Sequence, residues 1–351
     1  MRSIGRYAKP VKTAHQSTRE GGATVSEYFR IDDPSFEDFV DIQRPPEQLC
    51  TGLSWTEGPV WFQETGTLLF SDIPNCRMMQ WSAEDGTSEY LCPSEFTNGH
   101  YRDLDGHLVS CEHGGRRVIR RYDDGRVEVI AESYNGVRLN SPNDLIVKSD
   151  GSVWFTDPPY GINSDVEGYK GEREYGGCYV FRAAPGSGEL SVVADDFDKP
   201  NGLAFSPGED VLYIADSGAI EGGTNPAFDD DAPHHIRAFD VVDGCSLANG
   251  RLFVDLAPGV PDGFRVDTEG FVWTSAADGV HCYSAAGELY GKILLPEVAS
   301  NLTFGGMDGT TMFITATSSV YAVATTRKDA TSRRSYPARS YGQAMRGAGE
   351  F

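Results

Sequence analysis

Six residues could together do chemistry: Glu57, Asn98, Asn143, Asn201, Asp262 and Asn301. Each opens a segment of the same design, and consecutive members lie 41, 45, 58, 61 and 39 residues apart. Every one carries a side-chain oxygen; two are carboxylates and four are amides. Carboxylate and amide oxygens converging on one point suit a single hard divalent cation, Ca2+ foremost, with water completing the shell. Mg2+, Mn2+ or Zn2+ could use the same oxygens, although the lack of His and Cys at these positions speaks against a dedicated zinc or copper centre. Without a cation, two facing carboxylates repel unless one is protonated. Turn chemistry is the bland alternative, because Asn and Asp before Gly tolerate left-handed backbone. It covers one or two positions, but not Glu57, a poor turn former, nor the agreement of all six registers.

A repeat is what would bring these residues together. After each opening residue comes an apolar strand, a turn such as Asp105-Gly106, Asp150-Gly151 or Pro207-Gly208, and a second strand ending in a small residue and often an acid (FSD, SCE, FTD, IAD). The spacing is that of four-stranded propeller blades, about 40–50 residues each. The two long intervals place insertions within 160–177 and 217–235, both rich in Gly, Asp and Glu and read as loops. The chain is therefore expected to be all-β, a six-bladed β-propeller over 36–325 with a central metal-binding channel. In such a ring one register position of every blade points into the same channel. The segment 40–54 is expected to give a strand to the last blade and close the ring, protecting an otherwise open edge.

The bulk properties agree. The 351 residues carry 52 acids and 30 basic residues, a net charge of −22. Residues 1–19 hold five basic residues and no acid, and 326–351 hold six against two, so both ends are basic and the body is strongly acidic. An acidic body repels nucleic acid and anionic membrane, so neither is expected as a partner. Residues 1–35 read as a basic N-terminal extension and 326–351 as a basic tail. No stretch approaches the roughly 20 apolar residues of a membrane helix, and the N-terminus has no apolar signal core. Seven cysteines, an odd number with no C-x-x-C pair, argue against a disulfide framework and for a reducing, cytoplasmic setting, most of them serving as small buried apolar groups.

Several motifs carry a family resemblance: TEGPVW (Thr56–Trp61), CEHGGRR (Cys111–Arg117), LNSPNDLIV (Leu139–Val147), WFTDPPYG (Trp154–Gly161), PNGLAFSP (Pro200–Pro207), VPDGF (Val260–Phe264) and ASNLTFGG (Ala299–Gly306). Together they resemble the SMP-30/gluconolactonase family, its bacterial gluconolactonase-like branch, from about Gln48 to Ala324. The resemblance implies a six-bladed propeller that holds a Ca2+-type ion through Glu57, Asn143, Asn201 and Asp262. It implies hydrolysis of a small, polar, sugar-type lactone by a polarised carbonyl and an activated water. Asp262, the candidate general base, and Glu57 are the candidate catalytic residues. Asn98 and Asn301 share the ring and are candidate substrate contacts, as are His113, Asp157 and Tyr160, which sit where strand ends meet loops. Where animal lactonases of the family carry a substrate-contacting Arg, this chain has Ser141, which removes that contact. A phosphotriesterase-like hydrolase, a specialised isomerase or cyclase, and a non-catalytic binding propeller are the alternatives on the same scaffold. The binding platform fits least, since it has no need of axial oxygen ligands. A monomer or homodimer is expected.

Overall fold

A computed structural model describes residues 18–20, 23–222, 227–332, 334 and 336. Its described strands form six antiparallel sheets arranged as the blades of a propeller and one small hairpin that pairs Ser133–Tyr134 with Val137–Arg138. The first blade is typical: Thr56–Phe62, Thr67–Asp72, Arg77–Ser82 and Gly86–Leu91 pair in sequence order. The innermost strands of the other blades are Thr97–Arg102, Leu145–Val147, Pro200–Phe205, Phe264–Val266 and Ala299–Gly305. Alternation sends one face of each sheet against the next blade. Trp154, Trp273, Phe70, Phe155 and Phe264 are fully buried there, and Trp61 stacks on Phe313 of the sixth blade at 5.0 Å.

The ring closes as expected. Glu47–Cys50 pairs antiparallel with Ser319–Ala324 and completes the sixth blade. The fifth blade departs from four strands. Phe29–Ile31 pairs with Leu289–Leu294, and Ala23–Val25 and Thr18–Glu20 continue outward, making a seven-stranded sheet. These strands fall in the segment expected as an extension. They are held because Phe29 and Phe36 are buried, with Phe36 5.9 Å from Trp273. Residues 1–17 and 337–351, the outer parts of the expected extension and tail, lie outside the described residues.

The 160–177 insertion is a loop with a single helical turn, Tyr160–Asn163. No described helix is long and apolar enough to cross a membrane. All seven cysteines are free thiols; three are buried rather than most, with Cys92 and Cys245 exposed at blade edges. On the face opposite the opening residues, residues 327–332, Arg334 and Tyr336 lie across the channel mouth. There Arg334 donates to the Val147 carbonyl (2.8 Å) and to Glu209 (3.1 Å), and Tyr336 covers the Arg102 guanidinium at 3.7 Å.

Candidate functional site

Five of the six opening residues, Glu57, Asn98, Asn143, Asn201 and Asn301, are buried at the axis, each between 2% and 5% exposed, and Asp262 is half-buried there. Three of these backbones, those of Asn98, Asp262 and Asn301, are held by a hydroxyl near the end of a second strand. Ser71 Oγ donates to the Asn98 carbonyl (3.0 Å), Thr315 Oγ1 to the Asn301 carbonyl (3.2 Å), and Ser275 Oγ accepts from Asp262 N–H (3.1 Å). The acid beside that residue fixes the approach to the axis. Asp72 accepts from Ser54 and Trp55 N–H, Asp157 from Asn140 and Ser141 N–H, and Asp216 from Asp198 and Lys199 N–H. In each blade these are the residues three and two before Glu57, Asn143 and Asn201. The recurrent acid is thus a clamp that aims the axial side chain.

The recurrent glycine has a different cause from the one expected of turns. Among Gly58, Gly99, Gly202 and Gly263, only Gly58 has a positive φ (53°). The others are glycines because the blades touch. A Cβ on Gly202 would lie 2.2 Å from the Asp262 carbonyl oxygen, and one on Gly99 2.6 Å from the Asn143 carbonyl oxygen. Gly202 N–H also donates to that Asp262 carbonyl (3.1 Å) and Gly99 N–H to that of Asn143 (2.8 Å). Each opening dipeptide therefore sets the height of the next blade's opening residue.

One face of the axis carries a cavity of about 50 Å3 lined by Glu57, Asn98, Asn143, Asn201 and Asp262, with Trp55, Ile73, Tyr160, Glu167, Ile220 and Gly222 around its mouth. The Glu57 and Asp262 carboxyls are in hydrogen-bond contact, and Asn201 bonds the Asp262 carboxyl. Burial first, and then the facing Asp262 charge, push the Glu57 carboxyl well above the usual range; burial and the Asp144 charge do the same to Asp262. Asn301 lies beneath this layer. Its Nδ2 donates to Glu57 Oε2 (3.2 Å) and to Asp144 Oδ2 (3.5 Å).

The expected substrate contacts divide. Asn98 and Tyr160 line the cavity, and the Tyr160 hydroxyl donates to the Ser217 carbonyl (3.2 Å). Asn301, His113 and Asp157 do not line it. Asp157 is wholly buried and takes up Asn140, Ser141 and the Tyr175 hydroxyl, so it positions rather than binds. His113 is wholly buried behind Asn98. Its Nδ1 donates to the Glu167 carbonyl (2.9 Å), which leaves Nε2 to accept from Asn98 Nδ2 (3.3 Å). That bond turns Asn98 Oδ1 away from the imidazole. Ser141 Oγ is spent between the Pro158 carbonyl (2.7 Å) and Gly161 N–H (2.9 Å).

Two charged groups escaped the sequence reading. Asp144 follows Asn143 where four other blades have Gly, and it is buried in the same channel. Arg265, 4% exposed, lies three residues beyond Asp262 in an otherwise apolar strand; burial raises the Asp144 carboxyl above its usual range, and the Arg265 charge offsets part of that rise. The Asp at a glycine position and the Arg inside Phe-Arg-Val were the available signals.

Burial pushes the His113 imidazole down to about 4 and the His100 imidazole, held between Ser71 Oγ and Ser110 Oγ at 2.8 Å each, down to about 3. Both folded values lie below the unfolded value near 6.5, so the folded chain binds fewer protons than the unfolded one. Their contribution to stability is full above about pH 6.5 and is lost as pH falls towards 4 and 3. At pH 5 the expected loss is about 2 kcal/mol for each imidazole. Denaturant unfolding at pH 7.5 and pH 5.0 reads this out, and the His113→Gln variant, which keeps a donor and an acceptor, should lose about 2 kcal/mol less than wild type between those two pH values. An unchanged pH difference in that variant would remove His113 as the cause.

Among the described residues no three His, Cys, Asp or Glu side chains cluster in a metal-binding arrangement. The donor set here is different: two carboxylates completed by amides, all oxygen, as a hard divalent cation prefers. The residues present therefore fit such an ion.

The profile described as the SMP-30/Gluconolactonase/LRE-like region matches residues 55–318. A gluconolactonase of Zymomonas mobilis is 32% identical over 87% of this chain and 87% of its own length. A pentonolactonase of Haloferax volcanii is 28% identical, covering 74% of this chain and 80% of its own. A solved gluconolactonase structure from Xanthomonas campestris superposes with a TM-score of 0.77 at 34% identity, over 88% of this chain and all of the other.

Proposed function

This chain belongs to the SMP-30/gluconolactonase/LRE-like family, and from that membership we infer its chemistry: it is a lactone hydrolase, acting on a small sugar-type lactone with the help of one divalent cation, Ca2+ foremost, held by Glu57, Asn143, Asn201 and Asp262. The observation that carries the ion is charge balance. Two buried carboxylates, Glu57 and Asp144, and the half-buried Asp262 face one buried guanidinium, Arg265, which leaves two negative charges at the axis. One divalent cation neutralises them. Without it, burial and mutual repulsion force protons onto the carboxyls.

Bound there, the ion would supply Lewis-acid polarisation of the lactone carbonyl and acidify a water molecule. The chain's own residues do the rest. Asp262 accepts the proton from the attacking water at a carboxylate oxygen. The water oxygen bonds to the carbonyl carbon, the ring C–O bond breaks, and the same proton passes to the departing ring oxygen, giving the open hydroxy acid. Asn201 holds the Asp262 carboxyl in one orientation. Asn301 steadies Glu57, and His113, by taking the Asn98 amide hydrogen, presents Asn98 Oδ1 for the substrate. Clamping by Asp157 keeps Asn143 in line.

The test is hydrolysis of a panel of aldonolactones by untreated, chelated and Ca2+-restored protein, with metal content measured alongside. About one ion per chain is expected, with activity lost on chelation and regained with the ion. Activity that survives complete metal removal would sink the metal-dependent mechanism, and no hydrolysis of any lactone by the metal-replete protein would sink the substrate class.

A further inference from the structure

We propose that Glu167, in the 160–177 insertion, is the specificity residue that accepts hydrogen bonds from the hydroxyl groups of the substrate. The inference rests on the lactone reading above and deepens it.

Size comes first. The cavity's 50 Å3 is about the share of one or two water molecules in the liquid. It takes an ion and its water, so a lactone ring sits outward, at the mouth. Most of the mouth is hydrocarbon or aromatic: Trp55, Ile73, Tyr160 and Ile220. Glu167 is the carboxylate that the insertion adds to that rim. It is 9% exposed, and its charge is felt by both Asp262 and Tyr160 across the mouth.

The loop that carries it is tied down, as a recognition group requires. His113 Nδ1 donates to the carbonyl of Glu167 itself (2.9 Å). Next to it Gly168 packs on the helical turn so closely that a Cβ would lie 2.1 Å from the Gly161 carbonyl oxygen. Gly171 N–H donates to the Ile162 carbonyl (2.9 Å), and Arg116 reaches the Glu172 carbonyl (3.3 Å) and the Glu174 carboxylate (3.2 Å). Phe96 meets Tyr169 edge-on at 5.2 Å.

Chemistry selects the role. An ionised carboxylate is an acceptor only and can take two hydroxyl donors at once, as a vicinal diol offers. A site built to bond a hydroxyl discriminates strongly against an analogue that lacks it. The axial donors come from the starts of inner strands, whereas Glu167 arrives from a loop over the rim, so it addresses the substrate's periphery rather than the reacting carbonyl. Its effect belongs in KM.

Steady-state hydrolysis of an aldono-1,5-lactone and of unsubstituted δ-valerolactone by wild type, Glu167→Gln and Glu167→Ala tests this, together with metal content and calorimetric binding of a 1,5-anhydroalditol, which has the hydroxyls but no carbonyl. The preference for the hydroxylated lactone should fall at least tenfold in Glu167→Ala, mainly through KM. Glu167→Gln, still an acceptor, should fall less. Anhydroalditol affinity should drop at least tenfold while metal content stays at the wild-type level. Equal loss on both lactones, unchanged preference, or loss of the ion would overturn the assignment. Glu167-dependent binding of the anhydroalditol by a wild type that opens no lactone would keep this subsite and sink the lactone reading instead.

Discussion

Replacing Asp262 with asparagine is expected to lower lactone hydrolysis by about 10³-fold, roughly 4 kcal/mol of transition-state stabilisation. The substitution keeps the shape of the side chain and removes both its charge and its capacity to take a proton. Two functions fail together: proton transfer from the attacking water, and half of the carboxylate charge that holds the cation. Stability should move the other way. In chelated protein the Asp262 charge is opposed by those of Glu57 and Asp144 across the axis. Removing it relieves repulsion, so the chelated Asp262→Asn variant should melt at or above the temperature of chelated wild type. Thermal unfolding with and without Ca2+ then separates the roles. Wild type should gain stability from the ion and the variant should gain little. A variant that keeps wild-type turnover, or is stabilised by Ca2+ as much as wild type, would remove Asp262 from the site.

The second large effect comes from a residue with no side chain. Gly202→Ala places a methyl 2.2 Å from the Asp262 carbonyl oxygen and endangers the Gly202 N–H bond to it. The atom in the way is backbone, held on its other side by the fifth blade, so the blades must part. Overpacking of this kind costs about 1–3 kcal/mol. A displacement of Asp262 by about 1 Å is enough to cost about 10²-fold in rate. The expectation is a folded protein with lowered melting temperature and turnover reduced about 10²-fold, although alanine touches no substrate. Gly270→Ala is the matched control: it lies at φ 90° in the turn between Phe264–Val266 and Val272–Ala276, with nothing near its missing Cβ. It should cost stability through backbone strain and leave turnover within a factor of two or three. Equal turnover in both variants would show that blade spacing does not set the site.

These two residues also mark how far sequence can be read here. The axial ring was legible because a propeller converts equal register into a common direction; six oxygen-bearing residues at blade spacing suffice to place a channel. The glycines were legible as a pattern but not as a cause, since close approach between blades looks like turn chemistry until the blades are adjacent. His113 and Asp157 read in the sequence as substrate contacts near the mouth, yet neither lines the cavity. Position along a strand could not reveal that both point behind the cavity wall, one into Asn98 and the other into the Asn140-Ser141 backbone. Asp144 and Arg265 were hidden because a charge at or beside a short buried strand has no local signature; its balance lies across the axis in another blade. The strand at Phe29–Ile31 was missed for a similar reason. Three residues carry too little alternation, and their partner, Leu289–Leu294, lies some 260 positions away.

The closing strand has a consequence for how the protein is made. Glu47–Cys50 has its hydrogen-bonding partner in Ser319–Ala324. Synthesis runs from the first toward the second at about 5–20 residues per second, so the strand waits on the order of tens of seconds before that partner exists. During that interval it is an uncovered template for any extended chain, including another copy of itself on the same polysome. Its composition suits the wait: Glu47 and Gln48 are polar and Pro45 and Pro46 precede them, features that discourage mispairing. Yield in the cell should therefore depend on those four residues more steeply than the stability of the finished ring does.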